Sequence, residues 1–213
     1  MTQLILVRHG ETLWNREKRM QGQTDTMLSE TGRQQAAALG HRLSNTAFAA
    51  LYSSDLLRAW HTARAIADQT GREIVADSRL RERRFGIFEG LTHDEISERY
   101  PHELACFRSR DAEYVVPGGE SAQAFHARCL PCLREIAERH RGEEVVVVTH
   151  GLVLDALYRA AHRMAFREPR TVPLLNGSLN VFRYGASAWR LEIWGDVAHL
   201  AAETVTRYQG STV

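Results

Sequence analysis

Lysine is almost missing from this chain. Of 27 basic residues, Lys18 is the sole lysine and the other 26 are arginines. No Gly-Lys dipeptide exists, which excludes a P-loop nucleotide site. An excess of charge of either sign is missing too: 27 cations against 26 acids leave a net charge of +1. The arginines are interleaved with acids, so no basic block offers a face to nucleic acid or to an anionic membrane. Any anion site must be a local cluster. Cysteine is scarce at 3 residues, an odd number that excludes a disulfide scaffold and fits a reducing cytoplasm. No run approaches the ~18 apolar residues of a membrane span. The start, Met1-Thr2-Gln3-Leu4, lacks the basic and apolar regions of a signal peptide, so a cytoplasmic location is expected. There are 10 histidines, yet none forms H-x-H, H-x-x-x-H or H-E-x-x-H, the nearest two being His93 and His102. A metal hydrolase is therefore disfavoured, and no metal is expected.

What remains is an ordinary globular composition, 44% hydrophobic and 25% charged over 213 residues, enough to bury a core without disulfide or metal. Leu4–Val7 and Val145–Val148 are continuous apolar runs, the pattern of strands buried on both faces. Phe48 to Tyr52 is a third strand candidate. Helical spacing runs from Ser29, a plausible N-cap, to about Ser44, and from Leu56 to Gln69, with Gly71 as a stop. Thr92 to Arg110 reads as helix broken by Pro101, Ser121 to about Arg141 as helix, and Leu152 to Ala161 as helix again. Ser178–Tyr184 and Trp189–Trp194 flank Gly185 as a hairpin. Strands alternating with helices predict an α/β fold, a mainly parallel central sheet flanked by helices on both faces. No linker or repeat divides residues 1–213, so one domain is expected, with residues 92–120 as a small helical lid.

Two segments share a plan. Leu4-Ile5-Leu6-Val7-Arg8-His9-Gly10 and Val146-Val147-Val148-Thr149-His150-Gly151 each end an apolar run with one polar residue and then His-Gly. In parallel sheets ligands bind beyond the carboxyl ends of the strands, so neighbouring strands would bring His9 and His150 to one edge. The glycines would let the chain turn and a ligand approach the backbone. Ser53-Ser54-Asp55-Leu56-Leu57-Arg58-Ala59 passes from strand to helix and would bring Arg58 to the same edge. Leu80-Arg81-Glu82-Arg83-Arg84-Phe85-Gly86, followed by Glu89-Gly90, sets a carboxylate among arginines. Each piece alone has a bland reading, as packing or as a surface ion pair.

Together they resemble the histidine phosphatase superfamily, which also holds the cofactor-dependent phosphoglycerate mutases. Arg8-His9-Gly10-Glu11-Thr12 with Asn15 is similar to its nucleophile motif, and Ser53–Ala59 with Thr62-Ala63 to its second segment. Leu80-Arg81-Glu82 with Gly86 and Glu89-Gly90 is similar to the acid-bearing one. Gly118-Gly119-Glu120-Ser121 and Thr149-His150-Gly151 complete the set in order.

The resemblance implies a metal-independent phosphatase acting through phosphohistidine on a small phosphorylated metabolite, with no cofactor. His9 would be the nucleophile, its ring held in one tautomer by a bond to a backbone carbonyl. Arg8, Arg58 and His150 would steady the phosphoryl oxygens, because arginines fork onto them and stay charged. Asn15, Gln21, Gly22 and Gly151 would help bind substrate. Glu82 would give its proton to the leaving oxygen, which asks for a raised pKa that neighbouring arginines oppose. Family habit adds a homodimer.

Other readings stand beside this one. A phosphoglycerate mutase shares the core, but its rim lysine has no counterpart here, where Lys18 lies far along the chain from the insertion and His93 falls near that place. Its paired arginines appear broken up as Arg108-Ser109-Arg110, and Leu152-Val153-Leu154 after His150-Gly151 is apolar. A less cationic pocket favours hydrolysis over transfer. A catalytically dead phospholigand-binding module would not need all five of Arg8, His9, Arg58, Glu82 and His150. Cys129-Leu130-Pro131-Cys132 lies inside a helical stretch and reads as core packing, with Pro131 predicting a kink or break. Trp14 and Phe88 are candidates for the substrate mouth.

Overall fold

Branched aliphatic residues that are buried on both sides belong at the centre of a sheet, and the two longest such runs lie there side by side. The computed structural model describes residues 1–205; the remainder of the expected span, 206–213, lies outside the described residues. In chain order the elements are β1 (Thr2–Arg8), α1 (Leu13–Arg16), α2 (Glu30–Ser44), β2 (Ala50–Ser53), α3 (Leu57–Thr70), β3 (Ile74–Ala76), α4 (His93–Arg99), α5 (Pro101–Arg108), α6 (Ala122–Arg139), β4 (Glu144–Thr149), α7 (Gly151–His162), β5 (Leu179–Gly185) and β6 (Ala188–Asp196).

The sheet has six strands in the order β3-β2-β4-β1-β5-β6. β3, β2, β4 and β1 are parallel, while β5 and β6 join antiparallel at one side. Alternate residues of the central strands face opposite layers. Leu4, Leu6, Val145 and Val147 pack with Phe125, Leu133 and Leu157 of α6 and α7. Ile5, Val7, Val146 and Val148 pack with Leu39 and Leu43 of α2 and Ile66 of α3. Helices thus cover both faces, as expected.

Several boundaries differ from the expectation for local reasons. The second strand starts at Ala50 rather than Phe48, whose ring is buried against the α2–α3 side. The three-residue β3 and one-turn α1 are too short for any periodicity to show. The hairpin turns at Ala186 and Ser187, with φ of 49° and 60°, while Gly185 closes β5. Pro101 divides α4 from α5 by opening the second helix, where its missing N–H costs nothing. α6 runs through Pro131 without ending. Cys129 and Cys132 are both buried in its core face, and burial pushes each thiol up to about 12.

Segment 85–116 builds a third apolar cluster of its own. Phe85, Phe88, Ile96, Leu104 and Val116 pack together, with Met20 and Leu152 at their edge. Leu152 opens α7 beyond the carboxyl end of β4, so this cluster adjoins that edge of the sheet.

Helix starts also sort by position. Ser29, Thr92 and Ser121 each cap a helix by accepting a backbone N–H three residues on. α3 and α7 have no side-chain cap of this kind. Their first turns instead meet carboxylates from elsewhere: Leu57 N donates to Asp25 Oδ1 at 2.8 Å, and Leu152 N to Glu82 Oε2 at 3.1 Å.

Candidate active site

The register of β1 against β4 pairs Arg8 with Thr149, and His9 N donates to Thr149 O at 3.0 Å. The next residue of each strand therefore emerges at the same place. The rings of His9 and His150 lie 5.2 Å apart between centroids, tilted by 58°. Both are buried, His150 entirely.

His9 Nδ1 is 2.7 Å from Gly10 O. A carbonyl can only accept, so Nδ1 carries the proton and Nε2 keeps its lone pair. Burial and then the charges of Arg58 and Arg8 hold His9 well below the usual imidazole range, so the ring is neutral near pH 7. Burial, Arg58 and His9 do the same to His150. His150 Nε2 lies 2.8 Å from Ser54 Oγ, while its buried Nδ1 has no hydrogen-bond partner among the described residues.

Arg58 is 1% exposed. Its fork donates to Gly22 O at 2.7 Å and Thr24 O at 3.0 Å, Nε has no partner, and no carboxylate pairs with it among the described residues. Burial pushes its guanidinium down to about 10, still charged at neutral pH. Arg8, 3% exposed, donates from Nη1 to Leu174 O at 2.8 Å. Asn15 Oδ1 accepts the Thr12 N–H at 3.1 Å, and buried Nδ2 has no partner among the described residues. Buried donors left open in one place are costly unless a ligand completes them.

Glu82 faces the same cavity. Its oxygens accept the backbone N–H groups of Arg83 (2.8 Å) and Leu152 (3.1 Å). Burial raises its carboxyl above the usual range, outweighing those bonds and the charges of Arg58 and Arg8. The two largest opposing charges, Arg58 and Arg8, come from elsewhere in the chain. Arg81 is forked onto Asp55 and Arg83 turns its Nε to Glu120 O.

The cavity encloses about 430 Å³. Arg8, His9, Asn15, Arg58, Glu82 and Gly151 line its floor, and Phe88, Ile96 and Phe107 its roof. Gln21 and Gly22 also line it, but Gln21 Oε1 is already held by Thr26 Oγ1 at 2.7 Å. Gly22 has φ +54°, a conformation that favours glycine, and there its carbonyl meets Arg58. Gly10 is required by protein rather than ligand: a Cβ would overlap the carbonyl oxygen of Gly32. At Gly151 a Cβ would press on Leu174 and Arg8.

Two expectations need correction. Lys18, far along the chain from the inserted segment, nevertheless lines this cavity with Arg16, just past one-turn α1. The rim is therefore more cationic than the missing family lysine suggests. Trp14 does not line the cavity; it packs over Gly90, whereas Phe88 does line it. Of the insertion's cations, Arg108 pairs with His93 at the surface, and Arg110 faces a different pocket.

Several positioning groups escaped sequence reading. Arg128, on α6, donates to the carbonyls of Arg79 (2.9 Å), Arg81 (3.0 Å) and Glu82 (3.3 Å), stapling the segment that carries Glu82. Asn176 Nδ2 bonds His9 O at 3.1 Å. Glu89 gathers Gln23 N, Thr24 N and Phe85 N, holding the loop whose carbonyls grip Arg58. Only Glu89 carried a signal, its place in Glu89-Gly90.

A family model described as histidine phosphatase superfamily (branch 1) matches residues 4–197. Phosphoglycerate mutase-like protein 4 of Arabidopsis thaliana is 42% identical over 93% of this chain and 86% of its own length. A metal-independent phosphoserine phosphatase of the same plant is 39% identical over 95% of this chain and 84% of its own. Among solved structures, Bacillus stearothermophilus YhfR superposes with a TM-score of 0.86 at 38% identity, covering 93% of this chain and 99% of that one.

Proposed function

The chain belongs to the histidine phosphatase superfamily (branch 1), and we propose that it is a metal-independent phosphomonoester hydrolase acting on a small phosphorylated metabolite through phosphohistidine. The observation that carries this reading is the state of His9: a neutral ring whose Nδ1–H is committed to Gly10 O, leaving Nε2 as a nucleophile among buried donors.

In this mechanism Nε2 attacks phosphorus in line as the P–O ester bond breaks. The electron pair leaves on the ester oxygen, which takes the proton of Glu82. Arg8, the open Nε of Arg58, Asn15 Nδ2 and His150 Nδ1–H stabilise charge on the phosphoryl oxygens. Ser54, donating to Nε2 of His150, would keep that Nδ1 proton in place. Ionised Glu82 then takes a proton from water attacking the phosphohistidine, the P–N bond breaks, and its electron pair returns to Nε2. Guanidinium groups supply the charge stabilisation for which other phosphatases use metal ions.

The relative named a metal-independent phosphoserine phosphatase supports hydrolysis. Mutase activity is the second reading, favoured by the mutase-like relative and by Lys18 and Arg16 at the rim. Rapid quenching with ³²P-labelled substrate should trap label on His9, lost in acid, with chelator making no difference to turnover. Full turnover by His9→Ala would overturn the mechanism. Primer-dependent isomerisation of 3-phosphoglycerate outrunning phosphate release would assign the mutase reaction instead.

A further inference from the structure

The proton that leaves the His9 Nε2 lone pair open is held by the carbonyl of Gly10. A loop carbonyl can swing unless its peptide plane is held, and two fully buried side chains hold the planes on either side of Gly10. Gln35, on α2, accepts the Glu11 N–H through Oε1 at 2.8 Å. Glu11 N and Gly10 O belong to one peptide group, so Gln35 grips its nitrogen end while the His9 ring bonds its oxygen end. Thr62, on α3, accepts the Gly10 N–H at 3.0 Å. That N–H belongs to the preceding peptide, whose oxygen accepts Asn176 Nδ2 at 3.1 Å and Gly177 N at 3.3 Å. Both peptide planes that meet at Gly10 are thus fixed at both ends.

The two supports are themselves committed. Thr62 Oγ1 donates its one proton to Arg58 O at 2.8 Å, so it meets Gly10 with a lone pair. Through that hydroxyl the nucleophile loop and the turn that carries Arg58 share an anchor. Gln35 Nε2 donates to Thr204 O, which orients the amide so that Oε1 faces Glu11. The first turn of α2 also lies directly against the loop. Ser29 N donates to Glu11 O at 2.8 Å, and a Cβ at Gly32 would overlap that same oxygen. Neither Gln35 nor Thr62 lines the catalytic cavity, so each acts from behind the nucleophile. A peptide whose N–H is bonded becomes a better acceptor at its oxygen, so the bond at Glu11 N strengthens the one at His9 Nδ1.

We propose that Gln35 and Thr62 are positioning residues for His9: by holding the two peptides around Gly10 they keep the ring proton on Nδ1 and aim Nε2 at phosphorus. The inference rests on the reading of His9 as the nucleophile. A clamp that only packs α2 and α3 against the loop would contribute stability alone. One that positions the ring must also decide which nitrogen carries the proton and how fast the ring attacks.

The test uses the full chain and two variants that keep shape while removing the acceptor, Gln35→Met and Thr62→Val. Imidazole ¹⁵N spectra, with His9 assigned by the signal lost in His9→Gln, should show Nδ1–H in the wild-type protein and a shift toward Nε2–H in both variants. With p-nitrophenyl phosphate, each variant should lose about 10- to 100-fold in kcat/KM, the scale of displacing a reacting group by about 1 Å. Inhibition by inorganic phosphate should stay within about threefold, because the donors of the floor are untouched. Thr62→Ser keeps the hydroxyl and should return both the spectrum and the rate toward wild type. An unchanged spectrum, or a kcat/KM within about threefold of wild type in both variants, overturns the proposal. If label is trapped on His9 while neither variant moves the proton, the clamp falls and hydrolysis stands. If no ester is hydrolysed, the hydrolase reading falls and the spectra alone decide the clamp. Should the variants not fold, hydrogen exchange in the wild-type protein decides: slow exchange at the Gly10 and Glu11 amides supports the clamp, and exchange at the free-peptide rate overturns it.

Discussion

Floor and rim of the catalytic cavity carry the same kind of charge in opposite ways. On the floor, Arg8 and Arg58 are almost wholly buried, and among the described residues Arg58 is held by backbone carbonyls. At the rim, Arg16 and Lys18 are exposed to solvent. A buried guanidinium without a carboxylate costs several kcal/mol of desolvation, which an arriving phosphate dianion offsets. An exposed cation has little to gain, because water and salt already screen it. In the proposed mechanism the floor holds charge that appears in the transition state, and the rim attracts and sorts.

Breaking the floor should have the largest effect. His9→Ala should lower turnover by at least about 10³-fold, because the nucleophile itself is gone, and rapid-quench labelling should find no phosphoenzyme. Next is Arg58→Lys, expected to lower kcat by about 10²-fold: a lysine cannot span the carbonyls of Gly22 and Thr24 and still present a donor. Steady-state kinetics would check it, and a loss under threefold would mean that the buried charge is not used.

Glu82→Gln tests the floor through stability. Its folded pKa lies above the free value of 4.5, so the folded state binds the extra proton. That favourable contribution is complete below pH 4.5 and is lost as pH rises through the folded pKa. The neutral variant should therefore melt higher than wild type at pH 7, the gap closing below pH 4.5, while turnover of poor leaving groups falls. His9 and His150 run the other way. With folded pKa values depressed below 6.5, their contribution is present above pH 6.5 and lost as pH falls below it. Denaturant midpoints should drop on acidification from that point, less steeply in His9→Gln. The smallest effect belongs to the rim: Lys18→Ala should change KM by no more than about threefold, and less in high salt. A larger, salt-independent effect would place Lys18 with the floor.

The two regions also differed in how readable they were. Leu4–Val7 and Val145–Val148 announce central strands because parallel strands are apolar on both faces, and a register that pairs Arg8 with Thr149 follows from their matched endings. Ser29, Pro101 and Ser121 mark helix starts by local chemistry that tertiary packing left untouched. Lys18 was misjudged because separation along the chain does not say which segments line one cavity, and Lys18 and His93 line the same one. Arg128 was invisible, an arginine on a long helix among 26 arginines, until the segment 79–82 lay across it. Asn176 and the Leu174 carbonyl sit in a loop without pattern.

Residue order alone, then, was enough for the apolar runs, the paired His-Gly endings and the arginines that accompany them, since these depend on near neighbours. Protonation and cavity shape were decided in three dimensions. Glu82 stands beside three arginines in the chain, yet the largest charges that oppose it are those of Arg58 and Arg8, and burial outweighs both. Desolvation is set by everything that packs around a group, and most of what surrounds Glu82 comes from distant parts of the chain.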